Sequence, residues 1–186
     1  MSPTRRKAVG DGRVPEPVEL APVITYEGQR RGAGVRVAIV ASRFNMDVTE
    51  RLLVGARQGL DAHGVDPDLV VVAWVPGAFE LPLAAQRLAS SGDFDAVVCV
   101  GAVIRGETDH YTHVATQCAA GLQRAQLDTG VPVVFGVLTT DTVEDALARA
   151  GGSLGNKGSE AAEAGLEMVD LLGRLGQPAT PSGAGF

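Results

Sequence analysis

Aromatic side chains are scarce in this chain: five Phe, two Tyr and one Trp make 4% of 186 residues. The core must then be filled by aliphatic residues, and an aromatic residue set among polar ones stands out as a candidate for contact with a ligand. Cysteine is scarcer still. Cys99 and Cys118 lack Cys-x-x-Cys spacing, which argues against a disulfide scaffold or a structural zinc site and favours two buried free thiols. Positive charge is also short, with a formal net charge of -6 and one basic cluster at Arg5, Arg6, Lys7 and Arg13. Without extended positive potential, a general nucleic-acid or anionic-membrane partner is not expected. No apolar run approaches a membrane span, and the basic start leads into Gly, Asp, Pro and Glu instead of the apolar region of a signal peptide, so a soluble, cytoplasmic protein is expected. Neither a Walker pattern nor a Gly-x-Gly-x-x-Gly after the first strand is present, which disfavours nucleotide binding in those modes.

What the chain does have is alternation. Residues 1–22 are rich in Gly, Pro and charge without periodicity and read as a flexible N-terminal tail. Val23-Ile-Thr-Tyr26 has the composition of a short edge strand, and Gly28 to Gly34 that of a flexible lead into the core. Strands are predicted at Val35–Ala41, Leu69–Val75, Ala96–Ile104 and Val131–Leu138 from their apolar, β-branched runs. Between and after them lie helical patterns. Val48, Leu52, Ala56 and Leu60 share one face of a helix that Asn45 or Asp47 can cap and that Gly64 can end. Helices follow Pro76-Gly-Ala-Phe-Glu80, Asp109 and the cap-rich Thr139-Thr-Asp-Thr142, and a last one is expected from about Ser159 to Arg174. Residues 23–174 therefore read as one α/β domain, a three-layer α/β/α sandwich around a mainly four-stranded parallel sheet of flavodoxin-like kind, and residues 175–186 as a flexible C-terminal tail. A fragment of a larger barrel is the other architecture open to this pattern.

The residues without an evident core role gather after the strand ends: Arg43 and Phe44, Phe79 and Glu80, Arg105 to His110, and Thr139 to Asp141. In an open α/β sheet those ends share one edge, where ligands bind, so four segments are expected to converge on one site. Phe44 and Phe79 fit either stacking on a flat ring or plugging the core. Glu80 fits a ligand contact or a partner for the helix dipole. The loop Arg105–Asp109 leads into a helix amino end, where free backbone N–H groups favour a phosphate or other anion, and His110 beside it suits general acid/base work or an ordinary surface position. His113 follows three residues later, but no further ligands at metal spacing are evident, so no metal is expected. Arg149 and Lys157 flank the Gly-rich stretch Gly151–Gly155 in the manner of an anion grip.

Taken together, Ser42-Arg-Phe-Asn45, Val75-Pro-Gly-Ala-Phe-Glu80, Gly101-Ala-Val-Ile-Arg-Gly-Glu-Thr-Asp-His110, Phe135-Gly-Val-Leu-Thr-Thr140, Arg149-Ala-Gly151 and Gly155-Asn-Lys-Gly158 resemble the 6,7-dimethyl-8-ribityllumazine synthase family. The resemblance covers about residues 22 to 174. It implies a transferase of riboflavin biosynthesis, condensing 5-amino-6-(D-ribitylamino)uracil with 3,4-dihydroxy-2-butanone 4-phosphate and releasing phosphate and water without a cofactor. It further implies that Phe44 stacks on the pyrimidine and that Ala78, Phe79 and Glu80, with Ala102, Val103 and Ile104, hold the ring and ribityl chain. Gly106, Glu107 and Thr108 would bind the butanone phosphate, Arg149 would be its charged partner with Lys157 adding positive potential, and His110 would be the catalytic proton shuttle. Phe135 and Arg149 would come from a neighbouring subunit of a homo-pentamer, which in some members packs into a sixty-subunit icosahedral shell. Thr112-His113 replaces an acidic-aromatic pair often found there in the family. A non-catalytic flavin- or lumazine-binding protein, or a shell-forming one, is the competing reading of the same motifs.

Overall fold

Ala96–Ile104 is buried along nearly its whole length because it forms β3, with strands on both sides and helices on both faces. The computed structural model describes residues 23–176; the expected tails at 1–22 and from 177 onward lie outside the described residues. The described elements run β1 Val37–Ser42, α1 Met46–Ala62, β2 Val70–Val75, α2 Leu81–Ala89, β3 Ala96–Ile104, α3 His110–Thr129, β4 Val133–Thr140, α4 Val143–Arg149, β5 Ala150–Gly152, β6 Gly155–Asn156 and α5 Lys157–Leu175. Strands β2-β1-β3-β4 make one sheet in that order, all parallel, as the α/β reading requires. Every residue of β1 is buried, whereas Val71 and Val72 of β2, an edge strand, are exposed.

Two apolar layers hold the sandwich. On one face Val48, Leu52, Ala56 and Leu60 of α1 and Ala161, Ala162 and Leu166 of α5 pack on Val37, Ile39, Val98 and Val100. On the other, Leu81 and Ala85 of α2 and Cys118, Leu122 and Ala125 of α3 pack on Ala38, Val40, Val97 and Cys99. Both thiols are free and buried, and burial pushes Cys118 up to about 11. Cys99 is raised further, by burial and then by the neighbouring Cys118, which leaves both thiols protonated and unreactive at neutral pH. At the opposite end of the sheet from the strand tips, the Asp95 carboxylate accepts from the backbone N of Arg36 (2.7 Å) and from its guanidinium Nη2 (3.1 Å), tying the entry of β3 to that of β1.

Four local expectations are corrected. Val23–Tyr26 forms no strand; the segment that follows is tied across α5 instead, with Gln29 N donating to Asp170 (2.9 Å) and Arg30 paired with Glu163 and Glu167. For the same reason the Gly28–Gly34 lead is a strap anchored on α5. The fourth strand extends through Thr140, so the helix start is narrower than expected: Thr142 alone caps α4, accepting from Asp145 N at 3.0 Å. Finally, Asn45 occupies the cap position of α1 but makes no side-chain cap bond, because its carboxamide is engaged elsewhere.

Candidate active site

The strand order β2-β1-β3-β4 reverses direction of winding between β1 and β3, and at such a switch point the loops leaving the two carboxyl ends part and leave a crevice. A cavity of about 640 Å³ opens there. Its walls come from the end of β1 (Phe44), the turn after β2 (Pro76 to Glu80), the last residues of β3 (Ala102 to Ile104), the loop beyond (Gly106, Thr108) and the first turns of α3 (His110, Tyr111, His113, Val114).

Each wall has a local cause. Phe44 N donates to Pro76 O (3.1 Å) and Arg43 N to Val75 O (2.9 Å), so the chain leaving β1 stays beside β2 for two more residues and the Phe44 ring projects outward, 70% exposed. Phe79 is 59% exposed on the single turn Ala78–Glu80. Glu80 reaches back and accepts from Gly77 N at 2.9 Å, so its carboxylate closes its own turn and opens α2. Pro82 follows within the first turn of α2, the position where proline is tolerated. At α3 the cap residue Asp109 makes no side-chain cap bond, which leaves the first-turn amides without a side-chain acceptor and keeps the partial positive charge of a 20-residue helix directed at the loop 105–109. His110 is the first residue of that helix.

The loop is anchored from outside. Arg105 N donates to Thr140 O (2.9 Å), its Nε to Asp141 (2.5 Å), and its guanidinium lies 4.4 Å from the centre of the Tyr111 ring. The hydrogen bond and charge of Asp141 raise the pKa of Arg105 above its ordinary value.

Ten of the expected site residues thus share one cavity: Phe44, Ala78, Phe79, Glu80, Ala102, Val103, Ile104, Gly106, Thr108 and His110. Glu107 stands in the same loop, exposed and outside the lining. The other three are elsewhere. Phe135, Arg149 and Lys157 line a separate cavity of about 450 Å³ between β4 and α5, together with Thr139 and Thr140. Three segments, not four, line the first cavity: β4 is the edge strand of the sheet, Val134 to Thr140 along it line the second cavity with α5, and Asp141 just beyond it meets the first site only through Arg105. In this second cavity Arg149 donates to Asp145 O on its own helix (2.9 Å) and Lys157 pairs with Glu160 (2.6 Å).

Tyr111 and Val114 also line the first cavity, although no motif or spacing singles them out. His113 lines it too, on the same side of α3 as His110; the i, i+3 spacing could have drawn attention to its direction, apart from any metal. Among the described residues no cluster of His, Cys, Asp and Glu side chains is arranged to hold a metal ion, and no helix is long and apolar enough to cross a membrane.

The family model for 6,7-dimethyl-8-ribityllumazine synthase matches residues 34–173, which contain both cavities. A protein of Protochlamydia amoebophila (strain UWE25) named 6,7-dimethyl-8-ribityllumazine synthase is 49% identical over 150 residues, covering 81% of this chain and 87% of that protein.

Proposed function

The chain belongs to the 6,7-dimethyl-8-ribityllumazine synthase family and is an enzyme of riboflavin biosynthesis; from that premise we propose which substrates it joins and which residues act on them. The reaction is the condensation of 5-amino-6-(D-ribitylamino)uracil with 3,4-dihydroxy-2-butanone 4-phosphate to 6,7-dimethyl-8-ribityllumazine, with release of phosphate and water. The observation that carries this reading is the pairing, in one cavity, of an outward aromatic ring with a helix amino end that lacks a side-chain cap. A flat heterocycle suits the first and a phosphate the second.

Phe44 stacks on the pyrimidine, and Ala78 to Glu80 and Ala102 to Ile104 hold the ring and the ribityl chain. Gly106 and Thr108 bind the butanone phosphate at the head of α3, and Glu107 contributes its main chain. His110 moves protons as the 5-amino group adds to the ketone, water leaves to form the imine, phosphate is eliminated, and the second amine adds to the remaining carbonyl and closes the ring with loss of a second water. Because the reaction joins two small molecules, holding them together supplies most of the acceleration, and proton transfer adds a smaller share.

The second cavity fits the same scheme as the complementary half of a neighbour's site. Phe135 would cover the ring and Arg149, with Lys157, would meet the phosphate across an interface in a head-to-tail ring of five, alone or within a larger shell. The separation of the two residue sets on one chain supports that arrangement. A single catalytic domain over 23–174 and a cytoplasmic location belong to the same proposal.

Mixing the protein with both substrates tests it directly. Lumazine fluorescence and stoichiometric phosphate should appear together, and omission of either substrate should abolish both. Phosphate release from the butanone phosphate alone, or no lumazine with an intact protein, would overturn the assignment.

A further inference from the structure

Among the described residues Asn45 is the one non-glycine residue with a positive φ, at φ 59° and ψ 46°. L-residues avoid this left-handed region, and Asn tolerates it better than most because its short carboxamide can bond locally. At a helix start an Asn ordinarily has extended backbone and accepts from an amide of the first turn. Asn45 does neither. Its main-chain carbonyl accepts from Val48 N (3.0 Å) and Thr49 N (3.1 Å), while its side-chain Nδ2 donates to Ala102 O on β3 at 2.9 Å. The carboxamide is thus used to join the chain leaving β1 to the end of β3, across the switch point above which the cavity opens.

The residue immediately before it is Phe44. That ring is 70% exposed and has little packing of its own to fix it, so its stance depends on the backbone on either side. On one side Phe44 N is tied to Pro76 O. On the other, the left-handed turn at Asn45 and its bond to Ala102 O set the direction in which α1 departs. Non-glycine residues in this conformation persist where surrounding bonds over-determine them, and they concentrate at working sites.

We propose that Asn45 is a positioning residue that holds Phe44 over the cavity, acting through its left-handed backbone and its bond to Ala102 O. The inference rests on the reading of Phe44 as the ring-stacking residue and adds the device that aims it.

Two substitutions remove the bond to Ala102 O while leaving the left-handed backbone accessible. Asn45→Gly keeps the backbone conformation accessible and removes the donor, and Asn45→Asp keeps the side-chain shape while setting a carboxylate against the Ala102 carbonyl. Each should raise the KM for the uracil substrate and the Kd for added lumazine product about five- to tenfold, the scale of one lost hydrogen bond, while the KM for the butanone phosphate moves less than about twofold. In a Phe44→Ala background, Asn45→Gly should add less than about twofold, because the residue it aims is already gone. Lumazine Kd, read by fluorescence titration, provides a measure independent of turnover, and particle size and Tm show that assemblies match.

Wild-type affinity for the uracil substrate in Asn45→Gly, equal losses for both substrates, or full additivity with Phe44→Ala would overturn the positioning role while leaving the stacking reading intact. If Phe44→Ala itself spares the uracil substrate, the stacking reading fails, and the inference fails with it.

Discussion

His110 opens α3 at the wall of the larger cavity, where the helix dipole and the loop before it already favour an anion. In the proposed mechanism its imidazole helps a reaction whose main requirement is that two substrates meet in the right orientation. His110→Ala should therefore lower turnover by about ten- to a thousandfold without abolishing it, since positioning survives the loss of the proton carrier. Steady-state kinetics on correctly assembled protein checks this, and either an unchanged rate or complete loss would contradict it. At this scale the sequence was readable where a residue type was rare in its setting. Phe44 and Phe79 stood out because aromatics are few and these two follow strand ends. Asn45 was legible only as a cap: its identity is the same whether its carboxamide bonds its own helix or reaches across to β3. Glu80 left two readings open, and its bond to Gly77 N adds a turn-closing role that depends on how tightly the chain bends after Pro76.

At the scale of elements, the crossing of α1 and α5 depends on the absence of side chains. A Cβ at Gly158 would clash with the carbonyl oxygen of Leu52 and lie 2.8 Å from its carbon, backbone atoms that cannot swing aside. Asn156 stitches the same crossing, with Nδ2 donating to Arg51 O (2.9 Å) and Oδ1 accepting from Gly158 N (2.9 Å). Gly158→Ala should lower stability by about 1 to 3 kcal/mol, the usual range for an overpacked contact, or more if the helices cannot separate. Gly173 lies on the same helix with nothing near its missing Cβ. Gly173→Ala should be neutral or stabilising by up to about 1 kcal/mol through helix propensity alone. Thermal denaturation of the two variants gives the contrast, and a Gly158→Ala protein as stable as Gly173→Ala would mean that propensity, not the crossing, governs. Strand and helix order was legible because buried parallel strands read as continuous β-branched runs and the helices keep apolar residues on one side. Val23–Tyr26 misled because composition alone cannot supply a pairing partner, and the residues after it are held by charges on α5 that lie about 140 positions away.

For the whole molecule, the placement of expected site residues in two cavities on one chain bears most directly on function. Phe44 and His110 line one, and Phe135 and Arg149 line the other. Motif order could not reveal this division; it arises from β4 being the edge strand of the sheet, along which Phe135 shares a cavity with Arg149 and α5. On the proposed reading, a monomer would leave each cavity without the residues that complement it. In a head-to-tail ring every interface would join the His110 half of one subunit to the Arg149 half of the next, a heterologous contact repeated around the ring. Chains carrying His110→Ala and chains carrying Arg149→Ala, refolded together in equal amounts, should then restore both residues at roughly a quarter of the sites by chance. Activity of the mixed assemblies should exceed that of either single mutant, whereas preformed assemblies that do not exchange subunits should gain nothing on mixing. Native mass measurement establishes that the co-refolded rings contain both chains. If such rings are no more active than the average of the two mutants, His110 and Arg149 serve one subunit's site together, and the two cavities must be joined by movement within the chain instead of across an interface.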